Sequence, residues 1–287
     1  MGNGTLILGQ RFGQERALYH TVDATVRACR FEGEEDGESA LKECRRVTVE
    51  GSRFDLRYPF WHGEGLTLIS CELTENCRAP LWYDEGTVIR SSRLHGVKAL
   101  RECRGSEISD SEIVSPEFGW RCDGVRLSDV RLSGEYAFLG SRSIEIDRLD
   151  FSGKYSFQYV QNVSVKNSRL MTKDAFWHAK DVTVSDSVVS GEYLGWYSEN
   201  LTLIRCHITG TQPLCYCKGL RLVDCTTEGC DLAFEYSDVV ATVKGRIDSV
   251  KNPRSGSICA DVIGEVIRES DAVHKSCARI TVANEQR

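Results

Sequence analysis

No stretch of this sequence is apolar for long enough to cross a bilayer. The apolar run nearest its start, Leu6-Ile7-Leu8, is too short for the core of a secretion signal. No membrane partner is expected. Lys and Arg total 36 against 42 Asp and Glu, a formal charge of −6, and the basic residues are scattered without a run. Phosphate backbones call for clustered positive charge, so a nucleic-acid partner is not expected either. Helical spacing of apolar residues is absent. No grouping of His, Cys and Asp has the spacing of a zinc or calcium site, and neither a metal nor another cofactor is anticipated.

What is present points to a folded chain in a reducing compartment. Hydrophobic residues make up 41% and charged residues 27% of the 287, which is ordinary for a globular protein with a sizeable core. Thirteen Cys is an odd count in a long chain that shows no secretion signal, so the thiols are expected to be free and the location cytoplasmic. The Asn-X-Ser/Thr matches at Asn162 and Asn200 then carry no glycan.

The chain is organised by a repeat whose clearest copy is VSVKNSRLMTKDAFWHAKD, from Val163. Each unit opens on an eight-residue box. The boxes start at Ala24, Val47, Leu66, Thr87, Ser106, Val125, Ile144, Val163, Val182, Leu201 and Leu220, and the last seven starts lie 19 residues apart. In most boxes the first and third positions are apolar with a polar residue between them, the alternation of a strand. A period near 20 built of strand, turn and strand is one coil of a solenoid, which buries its apolar side only against its neighbours. No 5- or 6-residue sub-period is present. The fold class expected is all-β, a right-handed parallel β-helix of about eleven 19-residue rungs forming a single domain, 1–287. Residues 1–23 read as an N-terminal cap, 24–237 as rungs and 238–287 as a C-terminal cap with turn signals at Asn252-Pro253 and Ser255-Gly256.

Like positions of successive rungs stack into columns. All five tryptophans, Trp61, Trp82, Trp120, Trp177 and Trp196, fall five residues before a box. The next column holds His62, Tyr83, Glu102, Arg121, Gly140, Tyr159, His178, Tyr197 and Tyr216. The preceding one, with Phe60, Leu81, Leu100, Phe138, Phe157, Phe176 and Leu214, is nearly all apolar and is placed inside, which puts the Trp column outside. Flat aromatic faces spaced along a rod suit successive sugar rings, so the five Trp together with Tyr159, Tyr197 and Tyr216 are the ligand-binding candidates. The competing reading is that these rings pack on each other.

Nine residues before the box runs Glu135, Lys154, Lys173 and Glu192, which reads as an exposed ladder of ion pairs. Asp174, next to Lys173, and Glu192 one rung on would serve as a carboxylate pair for glycoside hydrolysis. Lys154 or Lys173, if deprotonated, would serve as the base of a β-elimination, and His178 beside Trp177 as a general base. Cys71, Cys206 and Cys225 share one small position, and Cys103, Cys122 and Cys217 another. They read as inward-facing core thiols. Cys215 stands apart in the Trp column, with no base in view.

The segments Tyr58-Pro59-Phe60-Trp61-His62, Lys173-Asp174-Ala175-Phe176-Trp177-His178, Gly191-Glu192-Tyr193-Leu194-Gly195-Trp196-Tyr197 and Gly210-Thr211-Gln212-Pro213-Leu214-Cys215-Tyr216, with Gly37 to Glu43, resemble a microbial family known as domain of unknown function 3737. The resemblance covers nearly the whole chain. It implies a pectin-lyase-like β-helix and brings no assigned activity. The function expected is carbohydrate binding, with glycan lyase or hydrolase chemistry as an option. The alternative is a non-catalytic scaffold that binds a protein or self-associates through its aromatic face. Partners in view are a glycan or another small molecule.

Overall fold

The computed structural model describes residues 4–33 and 37–283. Its regular structure is strand, apart from a 3-10 turn at Glu75–Cys77, and the strands pair in parallel. The backbone forms two compact units, one ending at Asp150 and the other beginning at Phe151. In the first unit the boxes stack in the expected register: Ala24 on Val47, Leu68 on Ile89, Ile108 on Leu127. In the second, Val163 stacks on Val182 and Val182 on Leu201. Alternation along each strand drives this register, because a slip of one residue would turn the apolar set out to water.

The parallel β-solenoid has about fourteen turns rather than the eleven expected. Stacking begins before the first box, where the strand Thr5–Leu8 pairs with Val22–Arg27, Thr5 on Ala24. It also continues past the last box through Asp238–Lys251, Ser255–Ile267 and Arg279–Val282. These outer turns escape a box search for a physical reason. Register shifts between Leu222 and Cys225 and between Val243 and Arg246 break the regular step while leaving the strands paired.

Single residues in the left-handed region make the corners of each turn. The residue before the box is one: Asp23, Arg46, Gly65, Gly86, Ser143, Asn162, Asp181, Asn200 and Gly219 all have φ between 50° and 65°. The fifth box position is another, with Asp110, Asp129, Asn167, Asp186 and Asp224 at 50° to 54°. Asn, Asp and Gly tolerate this conformation best, and their recurrence at these two steps bends the chain without a loop.

Inside, Phe60, Leu81, Leu100, Phe157, Phe176 and Leu214 are buried as the column assignment requires. Phe31 stacks on Phe54 at 4.4 Å and Phe157 on Phe176 at 5.1 Å. The small inward positions carry a second device: a side-chain oxygen of one turn accepts the backbone N–H of the turn below. Ser92 takes Cys71 N–H at 3.0 Å, Ser141 takes Cys122 N–H at 2.8 Å, and Ser187 takes Ser168 N–H at 3.0 Å. Asp84 occupies such a position in the column of Cys103, Cys122 and Ser141. It is fully buried, and one carboxyl oxygen accepts Gly63 N–H while the other has no partner. All thirteen thiols are free, and eleven are buried.

Candidate functional site

Within each unit two tryptophans stack on successive turns, and the stacking covers at least one face of each. In the first unit Trp61 lies on Trp82 at 5.3 Å and 9° between planes, with Lys42 over Trp61 and Arg101 over Trp82, each at 4.4 Å. Both faces of each ring of this pair are thus covered by the other ring and a cation. Trp120 carries Lys98 at 4.9 Å. In the second unit Trp177 and Trp196 lie 5.5 Å apart and 4° from parallel, each covering one face of the other. All five rings are half-buried.

The indole N–H groups are clips between turns. Trp120, Trp177 and Trp196 donate to the backbone carbonyls of Tyr136, Tyr193 and Gln212, each at 2.8 Å. Gln158 stands in the same column and clips Asp174 in the same way at 3.0 Å. The Trp61 Nε1 is buried without an acceptor. Trp177→Phe is therefore expected to lower unfolding free energy by about 1 kcal/mol more than Trp61→Phe, because only the first loses a hydrogen bond and leaves a carbonyl unpaired. Urea denaturation of both variants measures the difference, and equal losses would contradict the clip.

The rings that reach solvent belong to the next column. Tyr159 stacks on His178 at 5.0 Å, His178 on Tyr197 at 5.1 Å and Tyr197 on Tyr216 at 4.8 Å. Tyr159 is 58% exposed and Tyr197 43%. Each of these residues has φ between 52° and 60°, so the ladder runs along a left-handed corner. In the first unit His62 and Tyr83 stack in the same way at 5.1 Å.

The structure also brings Lys173, Asp174 and Glu192 together on consecutive turns. Lys173 Nζ meets the Glu192 carboxylate at 2.9 Å. That hydrogen bond, reinforced by the charge of Glu192, raises the Lys173 pKa and keeps the amine protonated, the opposite of what an elimination base needs. Lys154 lies over the Tyr155 ring at 5.4 Å. Asp174 is 8% exposed, and its backbone N–H donates to Glu192 O at 2.9 Å. Burial raises its carboxyl pKa, with Lys173 opposing and Glu192 adding to the rise. Cys215 is buried, and burial pushes its thiol up, away from nucleophilic thiolate character.

One concave feature lies outside the set singled out by the aromatic columns. In the first unit a groove of about 700 Å³ opens beside Tyr83, where Glu102, Arg121 and Gly140 replace rings in the corner column. Its sequence signal is the interruption itself, since a ladder that stops leaves space above its last ring.

Parallel turns stacked around an apolar interior, with ladders of like residues on the outside, define a β-helix protein. The chain belongs to the family described as "Protein of unknown function (DUF3737)", whose model matches residues 5–281. No curated protein matches the sequence. Among solved structures it is similar to PfbA, a surface adhesin of Streptococcus pneumoniae, at 10% identity over 95% of this chain and 78% of that one, with a TM-score of 0.36. It is also similar to a double mutant of the periplasmic alginate epimerase AlgG, at 10% identity over 91% and 78% with a TM-score of 0.33. A third is a tailspike protein of E. coli bacteriophage HK620 in complex with a pentasaccharide, at 10% identity over 100% and 72% with a TM-score of 0.33. Likenesses this distant carry no information on activity.

Proposed function

We propose that the protein binds carbohydrate, with the glycan lying along the corner ladder Tyr159, His178, Tyr197 and Tyr216 of the second unit. The carrying observation is the run of stacked rings spaced 4.8–5.1 Å, with Tyr159 and Tyr197 well exposed. Stacking leaves their rims to solvent, and the rims carry phenol hydroxyls and imidazole nitrogens that both donate and accept hydrogen bonds. Recognition is accordingly polar, along the edges of the ladder. The Trp column supports the ladder from behind, since Trp196 packs edge-on against Tyr197 and Tyr216. Lys173 and Glu192 supply further polar contacts on the same turns.

A Tyr159→Ala/Tyr197→Ala double variant should keep its fold by circular dichroism and lose at least about tenfold in affinity for whichever oligosaccharide the wild type retains on a glycan array. A wild type that retains none, or a double variant that binds equally well, would overturn the proposal. A change in oligomer mass alone would point to the scaffold reading. Hydrolysis is favoured over elimination because the bond to Glu192 holds Lys173 protonated and so removes the elimination base, while burial raises the Asp174 carboxyl pKa in the direction a general acid needs. Asp174→Asn should then abolish any release of reducing sugar while leaving glycan binding in place.

A further inference from the structure

We propose that the groove beside Tyr83 in the first unit is a second binding site, for a small oxyanion carried on a ring. It belongs to the first unit and shares no residue with the ladder of the second, so either reading can fail without the other. Three features build it. The first is an accessible ring in the groove wall: Tyr83 is 40% exposed and stacks on His62 and Trp82, and the next position in its column, Glu102, carries no ring to continue the stack. A flat ligand ring can therefore extend the stack by one step.

The second is a charge left over. Glu85 meets Arg104 at 3.6 Å and Asp123 meets Arg142 at 2.8 Å. Glu102 accepts from Arg101 at 3.2 Å and from the Tyr83 hydroxyl. Glu85, Glu102 and Asp123 are thus matched, and the fourth acid of the groove, Asp84, is fully buried with one oxygen on Gly63 N–H. Among the described residues none reaches the exposed Arg121, whose side chain lines the same groove. A guanidinium with its fork open is suited to a bidentate carboxylate or phosphate.

The third is space on the far side of Arg121. The next position in the column is Gly140, where a Cβ would meet nothing nearer than Arg121 Cγ at 3.9 Å. The absent side chain leaves the guanidinium uncovered, and a larger residue in that column would have closed the groove. Tyr83 and Arg121 stand two turns apart in one column, so a ring on Tyr83 places its substituent toward Arg121 at about 10 Å of column height.

The test uses the full chain and six probes: benzoate, phenyl phosphate, glucuronate, glucose 6-phosphate, glucose and inorganic phosphate. At least one of the four ring-bearing oxyanions should raise the thermal midpoint, and calorimetry should show about tenfold weaker binding to Arg121→Ala with partial recovery in Arg121→Lys. Which of the four binds separates a carboxylate from a phosphate and an aromatic ring from a sugar. Tyr83→Ala should weaken the same probe. No shift with any of the four, unchanged affinity in Arg121→Ala, or inorganic phosphate binding as tightly as the best ring-bearing probe would overturn the proposal.

Discussion

Asp84→Asn is expected to unfold at a higher temperature than the wild type at pH 7, with the gap widening as pH rises from about 4. Asp84 is fully buried, one carboxyl oxygen is unpaired, and the thiols of Cys103 and Cys44 are among its neighbours. Burial raises its pKa well above the ordinary carboxylate value, with the neighbouring Cys103 adding to the rise. The folded state therefore holds a proton that the unfolded state releases near pH ~3.9. Stability from this group is complete below that value and falls as pH climbs toward the folded pKa.

Each pH unit by which burial lifts the folded pKa above the unfolded one costs ~1.4 kcal/mol once the pH has passed both. Asparagine keeps the acceptor for Gly63 N–H and removes the titration. Asp84→Ser, which copies Ser141 in the same column, should show the same flattening of stability against pH. Urea melts at pH 4, 6 and 8 measure it. A wild type and variant with parallel pH dependence, or a variant less stable at pH 8, would sink the claim that burial raises the Asp84 pKa.

Gly191→Ala is expected to destabilise the second unit by about 3–5 kcal/mol, combining backbone strain with overpacking. Gly191 has φ of 150°, and a Cβ there would lie 1.7 Å from the carbonyl oxygen of Thr172 on the turn below. Gly210, one turn on, has φ of 117° and would place its Cβ 2.1 Å from Gly191 O. Two backbones meet here with no room for a methyl group, and neither can move without opening the stack. Glu192 follows directly, so the Lys173–Glu192 bond should be lost with the register. A loss under about 1 kcal/mol in Gly191→Ala would show that the turns separate readily at this point.

Much of the architecture was legible because a repeat is a local property. Alternation in the boxes dictates which residues face inward, and the step of 19 alone sets Val163 on Val182 and Leu81 on Leu100. The five tryptophans fell into one column by counting alone. The end turns were hidden. The final strands shift register, and Thr5–Leu8, although 19 residues before the box at Ala24, opens on Thr rather than an apolar residue.

The site was less legible, and Asp84 shows why. Read along the chain, Tyr83-Asp84-Glu85 is a polar turn; only the column of Cys103, Cys122 and Ser141 places its middle residue inside. In the same way, the sequence put Trp61 and Trp82 one above the other but left open whether their faces met water. The answer came from Lys42 and Arg101, which come from the turns on either side. By itself the sequence determined the period, the inward columns and the family. The tertiary structure alone decided which rings expose an edge, which carboxyl group is buried and where a groove opens. Each of these depends on atoms brought within a few ångströms by neighbouring turns, a relation that spacing along the chain does not contain.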